Sequence, residues 1–116
     1  MMTEHDVERV VYGTGAVRSA DAEDTRYDLI SPIGLRRLAQ TCAEGAAKYG
    51  DRNWERGFPA TSLVNHALRH VNSWLAGESD EDHLAHAVWN LTALMHFEEL
   101  RPDLIDIPSR QTGGAM

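Results

Sequence analysis

The chain of 116 residues has the length of one ordinary domain, and 42% hydrophobic with 25% charged residues is the composition of a globular protein, not a disordered one. Its net charge of −7 excludes strong non-specific binding to duplex DNA, which depends on neutralising phosphates. A single cysteine, Cys42, excludes a disulfide within the chain and suits a reducing compartment. Because neither a signal peptide nor a membrane-spanning run is recognisable, we expect a cytoplasmic protein.

The N-terminal thirty residues show no sustained periodicity. Residues 7–12 are apolar enough for one strand or one helical turn, and both alternatives remain open. Residues 13–30 are rich in glycine and polar side chains, which is typical of a loop. We therefore predict an irregular arm or loop over residues 1–30.

Apolar residues recur at steps of three and four along three later segments, which predicts three helices. These helices are expected over residues 32–49, 62–76 and 80–100. Ser31-Pro32 suits the N-cap and first position of the first helix, and Gly50 suits a left-handed residue at its end. The fold is therefore predicted to be all-α, with a helical domain over 31–101 and a flexible tail over 102–116.

The third predicted helix is apolar on nearly every side. Such a helix is typically buried on several sides, but two neighbouring helices in so short a chain leave part of it uncovered. We therefore predict that the small helical bundle is completed by a second copy of the chain, as a homodimer.

The same helix carries the sharpest polar signal. His83, His86 and Asn90 follow one another at steps of three and four, which places them on one face. Two imidazoles one turn apart can share a metal ion, or one can act as a base while the other binds phosphate. Alternatively, both are histidines hydrogen-bonded to neighbouring helices, and the spacing alone leaves the alternatives equally open.

Two histidines and an arginine lie on the second predicted helix. His70 stands at the border of the apolar stripe and can turn inward, with Arg69 beside it. His66 falls on the polar side, where we expect it to be solvated.

The first helix and the loop after it carry further candidates. Glu44 and Lys48, one turn apart, suit a surface ion pair, or else a metal ligand and a phosphate contact. In the loop, Trp54 can stack on a base while Asn53 and Asp51 read its edge. The alternative is a packed loop whose tryptophan fills the core.

Six blocks of the chain resemble, in order, the phage dATP/dGTP diphosphohydrolase family. They are residues 15–18 (GAVR), 26–32 (RYDLISP), 45–54 (GAAKYGDRNW), 69–70 (RH), 77–78 (GE) and 83–90 (HLAHAVWN). The resemblance covers roughly residues 13–97, and the blocks are specific in combination although each alone is weak.

The resemblance implies metal-dependent hydrolysis of a purine deoxynucleoside triphosphate, dATP or dGTP, to the monophosphate and pyrophosphate. The catalytic candidates are then Glu44, His70 and His86. The substrate-binding candidates are Arg18, Lys48, Asp51, Asn53, Trp54, Arg69 and Asn90. The candidate metal ligands are Glu44, His83 and His86, and the expected cofactor is Mg²⁺ or Mn²⁺.

The family is distantly similar to the MazG-like all-α NTP pyrophosphohydrolases, which hold Mg²⁺ with the carboxylates of an ExxE and an ExxD helix. That pattern matches Thr41 and Glu44 at the first pair, and His83 and His86 at the second. Mg²⁺ prefers oxygen ligands, whereas histidines suit Mn²⁺, iron, cobalt or zinc. Either the metal differs, or its ligands lie elsewhere, for instance in the acidic run 79–82, or the MazG similarity does not extend to the metal site.

Two rival functions remain. Histidines on two helices also suit an HD-type metal phosphohydrolase, although an adjacent His-Asp pair occurs only at His5-Asp6. The other rival is a non-enzymatic nucleotide-binding or structural phage protein. The expected partners are a nucleotide and a second copy of the chain, not duplex nucleic acid or a membrane; a phage-encoded protein would reside in the host cytoplasm.

Overall fold

A computed structural model describes residues 8–20 and 24–111. It is mostly helical, which confirms the predicted all-α class. The helices are α1 (Pro32–Tyr49), α2 (Ala60–Leu75) and α3 (His83–Leu100); the strands are β1 (Arg9–Val11) and β2 (Val17–Ser19); short 3₁₀ helices cover Tyr27–Leu29, Asn53–Arg56, Pro102–Leu104 and Pro108–Arg110. The chain divides into two compact units, residues 1–31 and 32–116. Residues 1–7 and 21–23 of the predicted arm and 112–116 of the predicted tail lie outside the described residues.

The first unit contains a β-hairpin where an irregular arm was expected. Strands β1 and β2 pair antiparallel, with Val10 opposite Arg18. The connecting turn closes when the Tyr12 amide donates to the Ala16 carbonyl at 2.8 Å, and Gly15 supplies the positive φ of 92° that this turn requires. Of the two alternatives for residues 7–12, the strand therefore applies at Arg9–Val11, and within the segment 13–30, expected to be an arm or a loop, Val17–Ser19 forms a second strand.

The three helices lie close to their predicted positions. α1 has the predicted bounds, and α2 begins two residues earlier than predicted, directly after Pro59. α3 begins three residues later, because the Asp82 side chain accepts from the Ala85 amide at 3.2 Å and so acts as the N-cap. Residues 80 and 81 consequently lie outside the helix. Among the described residues, no helix is both long and apolar enough to cross a membrane.

The core of the second unit lies between α2 and α3. Leu63, Ala93 and Phe97 form its buried centre. Half-buried hydrophobic side chains surround this centre: Trp54, Phe58, Trp89, Leu94 and Leu104. Since Leu104 packs here, the segment expected to be a flexible tail instead folds into 3₁₀ turns over 102–104 and 108–110.

One ion pair joins α1 to the N-terminus of α3. The Arg37 guanidinium donates to both carboxylate oxygens of Asp82, with Nε at 2.8 Å from Oδ2. This bidentate contact is the geometry in which an arginine–carboxylate pair is strongest. It lowers the pKa of Asp82 from 3.8 to about 2, mainly through the hydrogen bond from Arg37.

We predict that Asp82→Asn lowers the free energy of unfolding by roughly 0.5–1 kcal/mol at pH 7, because asparagine still caps α3 but loses the ion pair. Since the folded-state pKa is depressed, the contribution is complete above about pH 4 and is lost as the pH falls towards 2. Urea unfolding of both proteins between pH 7 and 2 measures this. A difference that persists unchanged at pH 2 would contradict the assignment.

The outer face of α3 is apolar. Leu84, Val88, Leu91 and Met95 follow one another at steps of three and four, and all are exposed in the single chain. This exposure agrees with the expectation that a second copy covers the helix, which remains a proposal.

We predict a dimer mass by light scattering at micromolar concentration. Leu91→Asp should shift the protein to a monomer without loss of helical circular dichroism, because Leu91 is 46% exposed in the single chain. A wild-type protein of monomer mass would contradict the proposal.

Candidate functional site

A cleft of about 660 Å³ opens in the second unit between α1, the loop after it, α2 and α3. Seven of the candidate catalytic, substrate-binding and metal residues line it: Glu44, Lys48, Asp51, Asn53, Trp54, His86 and Asn90. Its apolar wall includes two further aromatic side chains that were not among these candidates, Phe58 and Trp89. The cleft thus has the size and the mixed lining of a small-molecule site.

The loop after α1 is shaped by two left-handed residues. Gly50 has a φ of 96° and Arg52 a φ of 57°. These two residues turn the chain after α1, and the 3₁₀ helix Asn53–Arg56 follows. The turn places Trp54 against the core. Its ring packs edge-to-face on His96, with ring centroids 4.8 Å apart, and lies tilted against Phe97, with centroids 5.9 Å apart. Trp54 therefore fills the core, as one interpretation expected, and also lines the cleft, whereas its stacking on a base stays a prediction.

Glu44 and His86 meet in the cleft from α1 and α3. Glu44 Oε2 lies 3.4 Å from His86 Nε2, and the Glu44 side chain is largely exposed. Within the described residues, Glu44 pairs with His86 and not with Lys48, so the alternative of a Glu44–Lys48 surface pair does not apply.

Three histidines beside the cleft lie within 3.5 Å of one carboxylate oxygen. Glu81 Oε1 lies 3.2 Å from Nδ1 of His70, 3.5 Å from Nδ1 of His83 and 3.0 Å from Nδ1 of His86. The Nδ1 atoms of His70 and His83 are 3.0 Å apart. We call these four residues the histidine cluster.

Burial and hydrogen bonding set the charges in this cluster. Desolvation lowers the pKa of His70, more than the nearby Glu81 charge raises it, and so favours the neutral imidazole. The hydrogen bond with His86 lowers the pKa of Glu81. The hydrogen bond with His83, whose Nε2 lies 2.8 Å from Asp80 Oδ1, lowers the pKa of Asp80. Ionised carboxylates therefore face imidazole rings.

The expected metal trio is not the group that the structure brings together. Of the three candidates, Glu44 and His86 line the cleft, whereas His83 is buried against Asp80 and Glu81. Among the described residues, the three side chains whose ligand atoms all lie within 4.8 Å of one another are His70, Glu81 and His83. His70, expected to be catalytic, likewise belongs to the cluster and does not line the cleft.

Three further candidates have different surroundings. Asn90 is buried, and its Nδ2 donates to the His86 carbonyl at 2.8 Å, so it supports α3 while lining the cleft. Arg69 lies outside the cleft lining but contacts His66 Nδ1 at 2.9 Å. Arg18 lies on β2 in the first unit, and its phosphate-binding role stays a prediction.

The sequence reasoning missed His66 and the central place of Glu81. His66, expected to be solvated, is half-buried and lines the cleft. At His66 the polar side of α2 faces the cleft, and the periodicity of one helix does not reveal this. The acidic run directly before the two α3 histidines was the available signal for Glu81.

The fold and the cleft define a small helical domain with a small-molecule-sized cleft between its helices. The chain belongs to the family described as dATP/dGTP diphosphohydrolase, N-terminal, whose model matches residues 14–107. No curated protein and no solved structure matches the chain.

We predict that Trp54→Ala lowers the free energy of unfolding by an amount near the low end of the range of about 3–5 kcal/mol, because a half-buried ring is removed from the core. Trp74→Ala is the matched control, since Trp74 is 51% exposed and should cost much less. Urea unfolding measures both. Equal losses would contradict the position of Trp54.

Proposed function

We propose that this protein hydrolyses a purine deoxynucleoside triphosphate, dATP or dGTP, to the monophosphate and pyrophosphate, with a divalent metal. The observation that carries the proposal is the cleft, which combines an aromatic wall with a polar end in a member of this family. The family description names the two substrates, and their use by this chain is part of the proposal.

The aromatic end of the cleft suits a purine. Trp54 is held by the core and offers the cleft a fixed apolar surface, so little conformational entropy is lost when a base packs against it. Asn53 and Asp51 lie on the same loop and supply amide and carboxylate groups that can pair with the base edge.

The phosphate end has two sources of positive charge. Lys48 lines the cleft directly. Arg69 lies outside the cleft lining but is hydrogen-bonded to His66, which lines the cleft. Cations of this kind neutralise phosphate oxygens and support negative charge that develops on a leaving pyrophosphate.

Glu44 and His86 suit the hydrolytic step. The exposed Glu44 carboxylate can take a proton from the attacking water, and His86, 3.4 Å away, orients it. The water oxygen then bonds to the α-phosphorus, the bond from that phosphorus to the α–β bridging oxygen breaks, and pyrophosphate leaves with the bridging oxygen.

The donors at this end, one carboxylate and one imidazole, fit Mn²⁺ better than Mg²⁺, because Mg²⁺ prefers an all-oxygen environment. A bound metal would supply Lewis-acid polarisation of the phosphoryl oxygens. Glu44 and His86 are the residues that would hold it.

The test is to incubate the purified chain with each of the four deoxynucleoside triphosphates and either Mg²⁺ or Mn²⁺, and to identify the products. We expect monophosphate and pyrophosphate from dATP or dGTP. Release of intact triphosphate would favour the HD-type alternative. That alternative is supported by the close approach of His70, His83 and His86 to one another. Nucleotide binding without turnover would favour a non-enzymatic role.

We predict that Glu44→Gln leaves the fold intact and lowers turnover about 10²–10⁴-fold, the contribution of a general base. Glu98→Gln is the matched control. Glu98 is a surface residue of α3 that pairs with Arg110 and does not line the cleft, so turnover should not change. An active Glu44→Gln protein would overturn the role of Glu44 but not the product assignment.

A further inference from the structure

We propose that His70, Glu81 and His83 form a binding site for a first-row transition metal of the zinc class, separate from the carboxylate and imidazole in the cleft. The ligands are Nδ1 of His70, Oε1 of Glu81 and Nδ1 of His83. The proposal does not depend on nucleotide hydrolysis, because the site is defined by its own atoms and is tested by metal binding.

The three atoms already stand at the spacing of a tetrahedral site. Their separations are 3.0 Å between the two nitrogens, 3.2 Å from His70 to Glu81 and 3.5 Å from His83 to Glu81. Bonds of about 2.0–2.1 Å in a tetrahedron place neighbouring ligands roughly 3.3 Å apart. An ion therefore needs only small side-chain shifts to enter.

A second carboxylate prepares His83 as a ligand. His83 Nε2 lies 2.8 Å from Asp80 Oδ1, so the ring donates from Nε2 to the carboxylate. The Nδ1 lone pair then points at His70 and Glu81. This carboxylate–histidine arrangement is the usual outer support of a metal-bound imidazole.

His70 is also ready to bind metal. Its side chain is only 14% exposed, and its Nδ1 lies 3.0 Å from Nδ1 of His83 and 3.2 Å from Oε1 of Glu81. In the metal-free cluster, His70 Nδ1 donates to the His83 lone pair, and a shift of the ring proton to Nε2 releases the second nitrogen ligand. The ring keeps its proton in this shift, which only changes the nitrogen that carries it.

The donor set decides the class of metal. Two imidazole nitrogens and one carboxylate oxygen suit Zn²⁺, Co²⁺ or Fe²⁺, whereas Mg²⁺ binds nitrogen poorly. Three protein ligands leave one tetrahedral position open. The nearest further donor is His86, whose Nδ1 lies 3.0 Å from the same Glu81 oxygen and whose Nε2 faces Glu44 in the cleft.

The experiment is a titration of untagged, metal-stripped protein with Co²⁺, followed by visible absorption. We expect the first equivalent per chain to give the intense bands of four-coordinate Co²⁺, and to be displaced by Zn²⁺ but not by excess Mg²⁺. Only the weak bands of six-coordinate Co²⁺, or displacement by Mg²⁺, would overturn the proposal.

Four variants locate the site. His70→Gln and Glu81→Gln should weaken Co²⁺ binding more than about 100-fold, since each removes a ligand, and Asp80→Asn should weaken it about 10–100-fold through His83. His66→Gln, one turn before His70 on α2, is the control and should bind as the wild type does.

Circular dichroism verifies that each variant is folded. Asp80 is 74% exposed, so its variant remains informative even if a ligand variant unfolds. Unchanged affinity in Asp80→Asn and Glu81→Gln, or an equal loss in His66→Gln, would overturn the assignment.

Discussion

Three consecutive carboxylates before α3 hold one end of the helical unit together. Asp82 caps α3 and binds Arg37 of α1. Glu81 draws His70 of α2 towards the α3 histidines. Asp80 fixes the ring of His83. Because each carboxylate has different partners, this short run sets the positions of all three helices relative to one another.

The cleft follows from that arrangement. With α3 anchored at its N-terminus, His86 faces Glu44 across the gap to α1, which makes one end of the cleft polar. Further along α3, Phe97 anchors Trp54, which makes another wall aromatic. A nucleotide has the same polarity, with phosphates at one end and a flat base at the other. The packing that stabilises the domain therefore also shapes the cleft in which we propose that a nucleotide binds.

The helices and the family could be predicted from the sequence because both depend on local patterns: apolar periodicity, caps and ordered blocks of residues. Strands of three residues, such as β2, are too short to show a period, so the hairpin was missed. The packing of Leu104 and the inward turn of His66 depend on contacts between distant segments. The convergence of His70 and Glu81 likewise requires the approach of α2 to α3, which no spacing within one helix indicates.

That the cleft holds the nucleotide is tested most directly by a crystal structure with a dGTP analogue in which a methylene group replaces the α–β bridging oxygen. We predict that its phosphates lie beside Glu44, His86 and Lys48, and that its purine packs against Trp54. An analogue bound outside the cleft, or in the cleft with its base at Glu44 and its phosphates at Trp54, would contradict the proposed chemistry.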